Sequence, residues 1–474
     1  MFRLARRCMA AIKRFKGTSS LVFGLVVFIV VANTYGWVPV KREAVSFEVV
    51  SNELKNSSVI VYRAYWEQLD SGSARIRILA SSKCKSIENL EVRLGNKDAD
   101  PVKIQIKPIE NACPWTYAPL CEWNSFRIDA EIGLGALRDI AYLSKPSSNP
   151  IPIKIHKSLP KQSGLAVCVP PMFWLNDPLK LALFVETWKI RAGASHFYFY
   201  VHSVSKAVKT ALDHYVADKT ATVIPWPALP NTSTIDPNAS QYRFGHSIAH
   251  NDCRLRVAYR FVALVDIDEF LLLNDHKNNT QTTLDYVNNL MKSHPLAGSF
   301  TFTHKGLHFP SWPEDGTVLR RVDYQFLEES MISNTTGPTK TIFIADRADV
   351  INTHYIVNHF GIYSTVYVSN KKAQLFHYRV NWMNETAENT TSIPIFDGIR
   401  PTVETNLQRV FTEVEPKIGK PLIVNGTVAE TVNECLHEWK KFGCKTPTHM
   451  CRKKVAPMDD WVFSGGSSET YTIV

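Results

Sequence analysis

Phe261-Val-Ala-Leu-Val265 is an unbroken apolar run that ends on Asp266-Ile267-Asp268-Glu269-Phe270. Apolar at every position, it predicts a strand covered on both faces, as at the centre of a parallel sheet. The preceding chain fits that setting. Leu179 to Ala192 has helical apolar spacing and stops at Gly193. His196 to Val201 reads as a strand, and Ser203 or Ser205 caps a helix through Tyr215. A strand from Ala221 to Pro225 and a helix from Ser247 to Tyr259 complete the alternation, which predicts a doubly wound α/β sheet. Such sheets place ligands at the carboxyl ends of their strands, where Asp266 and Asp268 stand.

Two aspartates at i and i+2 can reach one point if the backbone curls away from strand geometry. They offer hard oxygens to Mn²⁺ or Mg²⁺. A cation held there offsets the charge of a departing nucleoside diphosphate, a Lewis-acid role. On its own, Asp-x-Asp more often marks a solvated turn; the buried strand before it favours the metal reading.

The chain has a net charge of +10, and its distribution argues against nucleic acid. Of 54 basic residues, eight precede Glu43, the first acid, so the remaining 46 face 44 acids. Leu21 to Ala32 is apolar and uncharged, and Trp37 and Val38 extend it to about the span of a thin bilayer. Six basic residues lie before it and two after, which predicts a cytosolic tail (1–18), a signal-anchor helix (19–38) and a lumenal remainder. The alternative is a signal peptide cut near Ala32. Eight N-x-Ser/Thr sequons follow the anchor, at Asn56, Asn231, Asn238, Asn278, Asn334, Asn384, Asn389 and Asn425. Eight cysteines lie beyond it, an even number that suits disulfides in an oxidising lumen. The absence of a CxxC pair weighs against zinc.

Residues 39–165 read as a stem and β-rich, sandwich-like accessory domain, with strands near Val59–Tyr62, Ala74–Leu79, Val102–Ile106 and Ile151–Ile155. Lys145–Pro150 reads as the linker at its end, and Cys113-Pro-Trp with Cys121-Glu-Trp brackets a loop tied by disulfides. A catalytic domain is expected over 166–455 and a tail over 456–474.

Several motifs together resemble glycosyltransferase family 92: Cys168-Val-x-Pro, Gly193-Ala-x-His-Phe-Tyr-x-Tyr200, Ala249-x-Asn251-Asp252-Cys253, Asp266-x-Asp268-Glu269-Phe270 and His377-Tyr378-Arg379. The helix bearing Glu186 belongs to the same set. The likeness covers about residues 160–400, with a weaker echo around Cys113-Pro-Trp. It implies a GT-A type, Rossmann-like mixed sheet flanked by helices, an inverting mechanism, Mn²⁺ (or Mg²⁺) and UDP-galactose as donor. It also implies a glycan acceptor, N-glycan fucose or galactose, in the Golgi. By the same resemblance, Asp266 and Asp268 match the metal motif, His377 completes it with His354 second, and Asn251 and Asp252 meet the nucleotide or donor sugar. Cys253 reads as a disulfide partner. The base that takes the acceptor's proton is expected between these motifs. Asp315 of Trp312-Pro-Glu-Asp-Gly316 is the first choice, with Glu314, Glu328 and Glu329 as rivals, and Trp312 is placed to stack on a sugar.

Three readings compete with this one: a different UDP-sugar, an inactive glycan-binding protein, and a glycosidase. The last is disfavoured because its paired acids normally sit on separate strands. The topology has a direct check. In intact microsomes the chain should be protease-protected and shift on glycosidase digestion; a product secreted after cleavage near Ala32 would replace the anchor with a signal peptide.

Overall fold

The computed structural model describes residues 51–69, 72–133, 138–274, 281–378, 390–442, 444, 447–466 and 470–474. The expected anchor, four sequons (at 278, 334, 384 and 389, the third of these with its neighbours) and Arg379 lie outside the described residues or side chains. Among the described residues no helix is long and apolar enough to cross a membrane.

The first sheet has eight strands among the described residues, seven of them in one path: β1 (Val59–Gln68), β2 (Ala74–Lys83), β3 (Glu91–Leu94), β4 (Ile104–Pro108), β5 (Trp123–Ile132), β6 (Ile140–Ser144) and β7 (Ile151–Lys157). They run in the order β3-β6-β7-β1-β2-β5-β4. In place of the expected two-layer sandwich, one strand path curls on itself. A bridge from Val92 to Val102 ties its ends, and Val92 and Leu143 share a core with Ile78 and Ile128. Lys145–Pro150 is not a linker: it turns β6 into the antiparallel β7.

The second sheet contains β8 (Gln162–Met172), β9 (Ala194–Val201), β11 (Ala221–Pro225), β12 (Tyr259–Leu264), β13 (Glu269–Leu273), β14 (Ala297–His308), β15 (Met331–Ile344) and β19 (Ala373–Tyr378). Between these lie the short strands β10 (Ser203–Ser205), β16 (Ala348–Ile351), β17 (Ile356–His359) and β18 (Ser364–Tyr367). Its helices are α1 (Pro178–Thr187), α2 (Lys206–Ala217), α3 (His246–Arg256), α4 (Thr283–Ser293) and α5 (Arg400–Ile418). β11-β9-β8-β12 are parallel, as the apolar runs predict. Beyond β12 the order is β15-β14-β19-β13 and directions mix, so the fold is mixed α/β.

Local chemistry accounts for the helix ends. Asp177 caps α1, its Oδ1 accepting from Lys180 N at 3.0 Å. A π turn, Trp188–Ala192, then runs to Gly193, whose φ of 70° a side chain would resist. Ser205 caps α2. Alternate residues of β8 and β9 face opposite layers. Val167 and Phe199 pack with α1, α2 and α5, whereas Cys168 and Tyr200 pack with α3 and the first sheet.

That second layer joins the two sheets. Tyr62, Tyr65 and Leu79 of the first sheet share one core with Ile248, Val262 and Leu264, and Val49–Val474 form one compact unit. Buried ions cross the junction. Arg75 Nη2 donates to Glu67 Oε2 and to Asp349 Oδ1, both at 2.6 Å, and Arg254 of α3 also donates to Glu67. Arg77 donates to Asp129 Oδ1 at 2.7 Å and to Asp349 O at 2.7 Å. The first sheet is thus part of the main body rather than a spacer.

Residues 456–474 are likewise no loose tail. β20 (Thr390–Ser392) pairs with β15, β21 (Trp461–Phe463) with β10, and β22 (Thr472–Ile473) with β1, and α6 (Gly426–Phe442) and α7 (Pro447–Val455) precede the last two. Disulfides link Cys84 to Cys113, Cys121 to Cys444 and Cys168 to Cys253, as the lumenal reading expects of Cys253 and the Cys113–Cys121 loop. Asn231 is exposed, but Asn238 is buried and bonded to Leu229 at both N–H and C=O, so its sequon is closed in the fold.

Replacing Glu67 by Ala removes the carboxylate that buried Arg254 bonds and leaves Arg75 with Asp349 alone as its close partner. Urea unfolding should show one transition for both sheets and a loss of about 3–5 kcal/mol. Unchanged stability would remove this network as the clamp.

Candidate active site at the end of strand β12

β12 and β13 stand four positions apart in the sheet, about 19 Å if it were flat. The connection from Leu264 to Glu269 makes five Cα steps, at most about 18 Å fully extended. It is far from extended, because Glu269 N–H bonds back to Asp266 O at 3.1 Å. The strands β12-β15-β14-β19-β13 must therefore curl, and the Asp266–Asp268 turn closes the curl at its carboxyl-end rim. β15, β14, β19 and β13 contribute Lys340, His304, His377 and Glu269 to the inside.

Lys340 of β15 is the centre of this interior. Its Nζ donates to Asp266 Oδ2 at 3.0 Å and lies 3.3 Å from Glu269 Oε2. Glu269 Oε2 also accepts from Asp266 N–H at 2.8 Å. Burial disfavours the Lys340 ammonium, yet Asp266 and Glu269 outweigh that and raise its pKa. Burial pushes the Glu269 carboxyl up to about 7. Burial also opposes ionisation of Asp266, but Lys340, His246 and His377 hold it well below the usual carboxylate range.

His377 of β19 faces the second aspartate. Its Nε2 lies 3.2 Å from Asp268 Oδ1, and Asp268, despite burial, is held down at about 2 by that imidazole. The other ring nitrogen, Nδ1, lies 3.2 Å from His304 Nε2 and 3.7 Å from Glu269 Oε1. Partners on the far nitrogen are what orient a ligating histidine. Asp266 and Asp268 side chains keep 26% and 21% of their surface open, whereas Lys340 and Glu269 keep 2% and 1%, so the aspartates alone face outward.

The donors fit a hard divalent cation in part. Ligand atoms cis on an octahedral ion, each about 2.1 Å from it, are about 3 Å apart, close to the Asp268–His377 separation. Mg²⁺-like ions commonly take only one or two protein ligands and complete their shell with phosphate and water. Among the described residues no group of three or more His, Cys, Asp or Glu is arranged to hold a metal. Asp266, expected as the third ligand, is drawn aside to Lys340. His354, the second histidine candidate, is also elsewhere: its Nδ1 meets Thr339 O at 3.2 Å, and burial lowers its pKa to about 4.

Three other expectations are corrected by burial or bonding. Asn251 is buried, donating to Ser247 O and Ile351 O, both at 2.8 Å, and accepting from Ile351 N. Asp252 is fully buried. Tyr65 and Tyr200 donate to it, the latter at 2.5 Å, and Arg256 donates at 2.9 and 3.1 Å. Both side chains are committed to joining α3 to its neighbours, which leaves no oxygen for a nucleotide. Asp315, expected as the base, caps α6: Oδ1 accepts from Gly426 N, and Oδ2 from Thr427 Oγ1 at 2.7 Å and Thr427 N at 3.3 Å. Although its partial burial opposes ionisation, those bonds lower its pKa. Such a carboxylate is poor at accepting a further proton.

Of its rivals, Glu328 is paired with Arg400 and Glu329 accepts from Ser392 Oγ. Glu314 lies exposed on the same turn. Trp312 is half-buried against Tyr378, centroids 4.8 Å apart, and Tyr378 N–H bonds to Asp268 O at 2.7 Å. It therefore forms a wall beside Asp268. Sequence reasoning missed Lys340 and His304, which sit in strands whose pattern gives no sign of a site. It also passed over His246, whose Nε2 is 4.0 Å from Asp266 Oδ1.

The family profile described as glycosyltransferase family 92 matches residues 163–414, which include every residue of this centre. No curated protein matches the chain at a significant level. Among solved structures the chain is similar to S. aureus TarS 1–349, at 13% identity over 38% of this chain and 47% of that one, with a TM-score of 0.23. The match thus spans less than half of that structure. TarS 1–349 in complex with UDP-GlcNAc matches at 11% identity over 58% and 73%, TM-score 0.27. A UDP-glucose pyrophosphorylase complexed with UDP-glucose matches at 6% over 53% and 99%, TM-score 0.21. Scores this low bear on nothing that follows. The profile, which covers more than half of the chain, makes it a member of glycosyltransferase family 92.

Proposed function

We propose that the chain is an inverting, metal-dependent galactosyltransferase of the Golgi lumen, anchored by residues 19–38, that moves galactose from UDP-galactose to a glycan. The observation that carries the reading is the pairing of the partly open Asp268 with the buried His377, within the family match and at the carboxyl end of the central strand. The mixed sheet, parallel up to β12, agrees with a GT-A arrangement.

Electrostatics explains why such a site calls for a cation. Lys340 already answers Asp266, so the Asp268 carboxylate is the charge left facing the place a diphosphate would take, and a bound cation would offset both. Asp268 and His377 would hold Mn²⁺ or Mg²⁺, which when bound supplies Lewis-acid compensation for the leaving diphosphate. Glu269 and His304 hold the His377 ring in place. Lys340 fixes the Asp266 turn that carries Asp268. Trp312 and Tyr378 shield the Asp268 side from water. Glu314, on the exposed turn beside Trp312, is the carboxylate left for removing the acceptor's proton.

The full chain in detergent, given a panel of UDP-sugars with Mn²⁺, should release UDP fastest from UDP-galactose, and EDTA should stop it. Asp268→Asn should lower turnover by about a hundredfold or more. Normal turnover in EDTA would sink the metal reading, and preference for another sugar would replace the donor. Glu314→Gln should lower transfer while UDP binding persists. By contrast, Asp315→Ala should cost about 1 kcal/mol of stability through its lost cap and leave kcat nearly unchanged.

A further inference from the structure

The loop Cys113–Cys121 of the first sheet packs on Tyr242, in the segment that leads into α3, and nothing above gives it a role. Disulfides pin both ends, Cys113 to Cys84 and Cys121 to Cys444. Its interior is held by Ala118 N–H to Trp115 O and Cys121 N–H to Ala118 O, both 3.0 Å, and by Trp115 N–H to Asn124 Oδ1 at 3.1 Å. Against this rigid backbone its apolar side chains face solvent: Tyr117 is 64% exposed and Leu120 70%.

These rings are continuous with the catalytic layer. Trp115 meets Tyr242 edge-on with centroids 4.8 Å apart, Tyr117 meets Tyr242 at 5.9 Å, and Trp115 meets Tyr117 at 5.3 Å. Tyr242 belongs to the segment leading into α3. The first sheet grips that segment through Trp123 N–H to Ser240 O at 3.0 Å and Gln241 Nε2 to Ser81 Oγ at 2.9 Å. The segment continues into His246, 4.0 Å from Asp266. Burial raises the Tyr242 phenol pKa, and among its charged and phenolic neighbours are both Tyr117 and Asp266. Tyr242 thus joins the loop to the segment whose His246 reaches the aspartate turn.

Composition narrows the occupant. No residue from Cys113 to Cys121 is charged, and the nearby Arg243 guanidinium is stacked over the Tyr242 ring, 5.5 Å from its centroid, so the loop itself presents rings and not charge. Flat rings with adjacent hydroxyls suit a neutral hexose, whose C–H face packs on an aromatic plane while its hydroxyls stay wet. A loop fixed in advance loses little entropy on binding.

We infer that Trp115, Tyr117 and Leu120, with Tyr242 behind them, form the wall that holds a neutral sugar ring of the glycan acceptor. The first sheet is then part of the acceptor site. This rests on the transfer reaction proposed above for its identification of the acceptor.

The test uses the full chain and N-glycans released from a secreted glycoprotein. It reads binding by tryptophan fluorescence and transfer by UDP release. Tyr117→Ala should weaken glycan binding and raise the acceptor KM about five- to tenfold, while kcat and the KM for UDP-galactose stay unchanged. Tyr117→Phe, which keeps the ring, should behave as the parent. An unchanged acceptor KM in Tyr117→Ala, or a change confined to the donor KM, would overturn the inference. If the parent binds glycan through Tyr117 but transfers no sugar, the proposed reaction fails and the surface stands. If it transfers sugar and Tyr117→Ala binds glycan as the parent does, the surface fails and the reaction stands.

Discussion

A buried ammonium between a buried carboxylate and a half-buried one holds the reaction centre together. Lys340 reaches from β15 to Asp266 and Glu269, at the two ends of the turn that joins β12 to β13. Charges so placed are costly unless each is answered, and here each is: Asp266 N–H also bonds to Glu269, which in turn lies beside His377. The turn is therefore held in one shape. Because a flat sheet cannot be closed by so short a connection, that shape also sets the curl of five strands. Asp268 keeps its open face because Lys340 and Glu269, both buried, hold the turn on its inner side.

The two sheets show the same dependence of site on scaffold. Asp252 and Arg254, two residues apart on α3, anchor it to Tyr65 and Glu67 of the first sheet. The Cys168–Cys253 disulfide ties the same helix to β8. α3 begins at His246, beside Asp266, so the first sheet helps to place one wall of the centre. Return of the chain's last residues to β1 adds to this: Val474 and Val59 exchange backbone hydrogen bonds at 2.9 Å. A spacer would need none of these contacts.

Much of the catalytic layer was legible because its signals are local. An apolar run is a buried strand wherever it lies, and Ser205, Gly193 and Asp177 act on their own helix ends. The pairing of Asp268 with His377, 109 residues later in number, entered only through the family likeness; no periodicity announces it. Asp315 illustrates the opposite failure. An Asp before Gly in a polar turn reads as free for chemistry, but its oxygens answer the N–H groups of a helix that starts at Gly426. Asn251 and Asp252 misled in the same way. On a helix their polarity suggests a ligand, while their partners come from β1, β9 and β16.

The sequence by itself determined the strand and helix order around residue 261, the acidic turn at the carboxyl end of that strand, and the charge asymmetry of the N-terminus. Each follows from neighbours along the chain, where periodicity and capping act. Only the tertiary structure decided which acids stay open to solvent, that Lys340 withdraws Asp266, and that the first sheet reaches the site. Those outcomes depend on which distant side chains answer a buried charge, and a charge removed from water takes whichever partner the packed fold brings within reach.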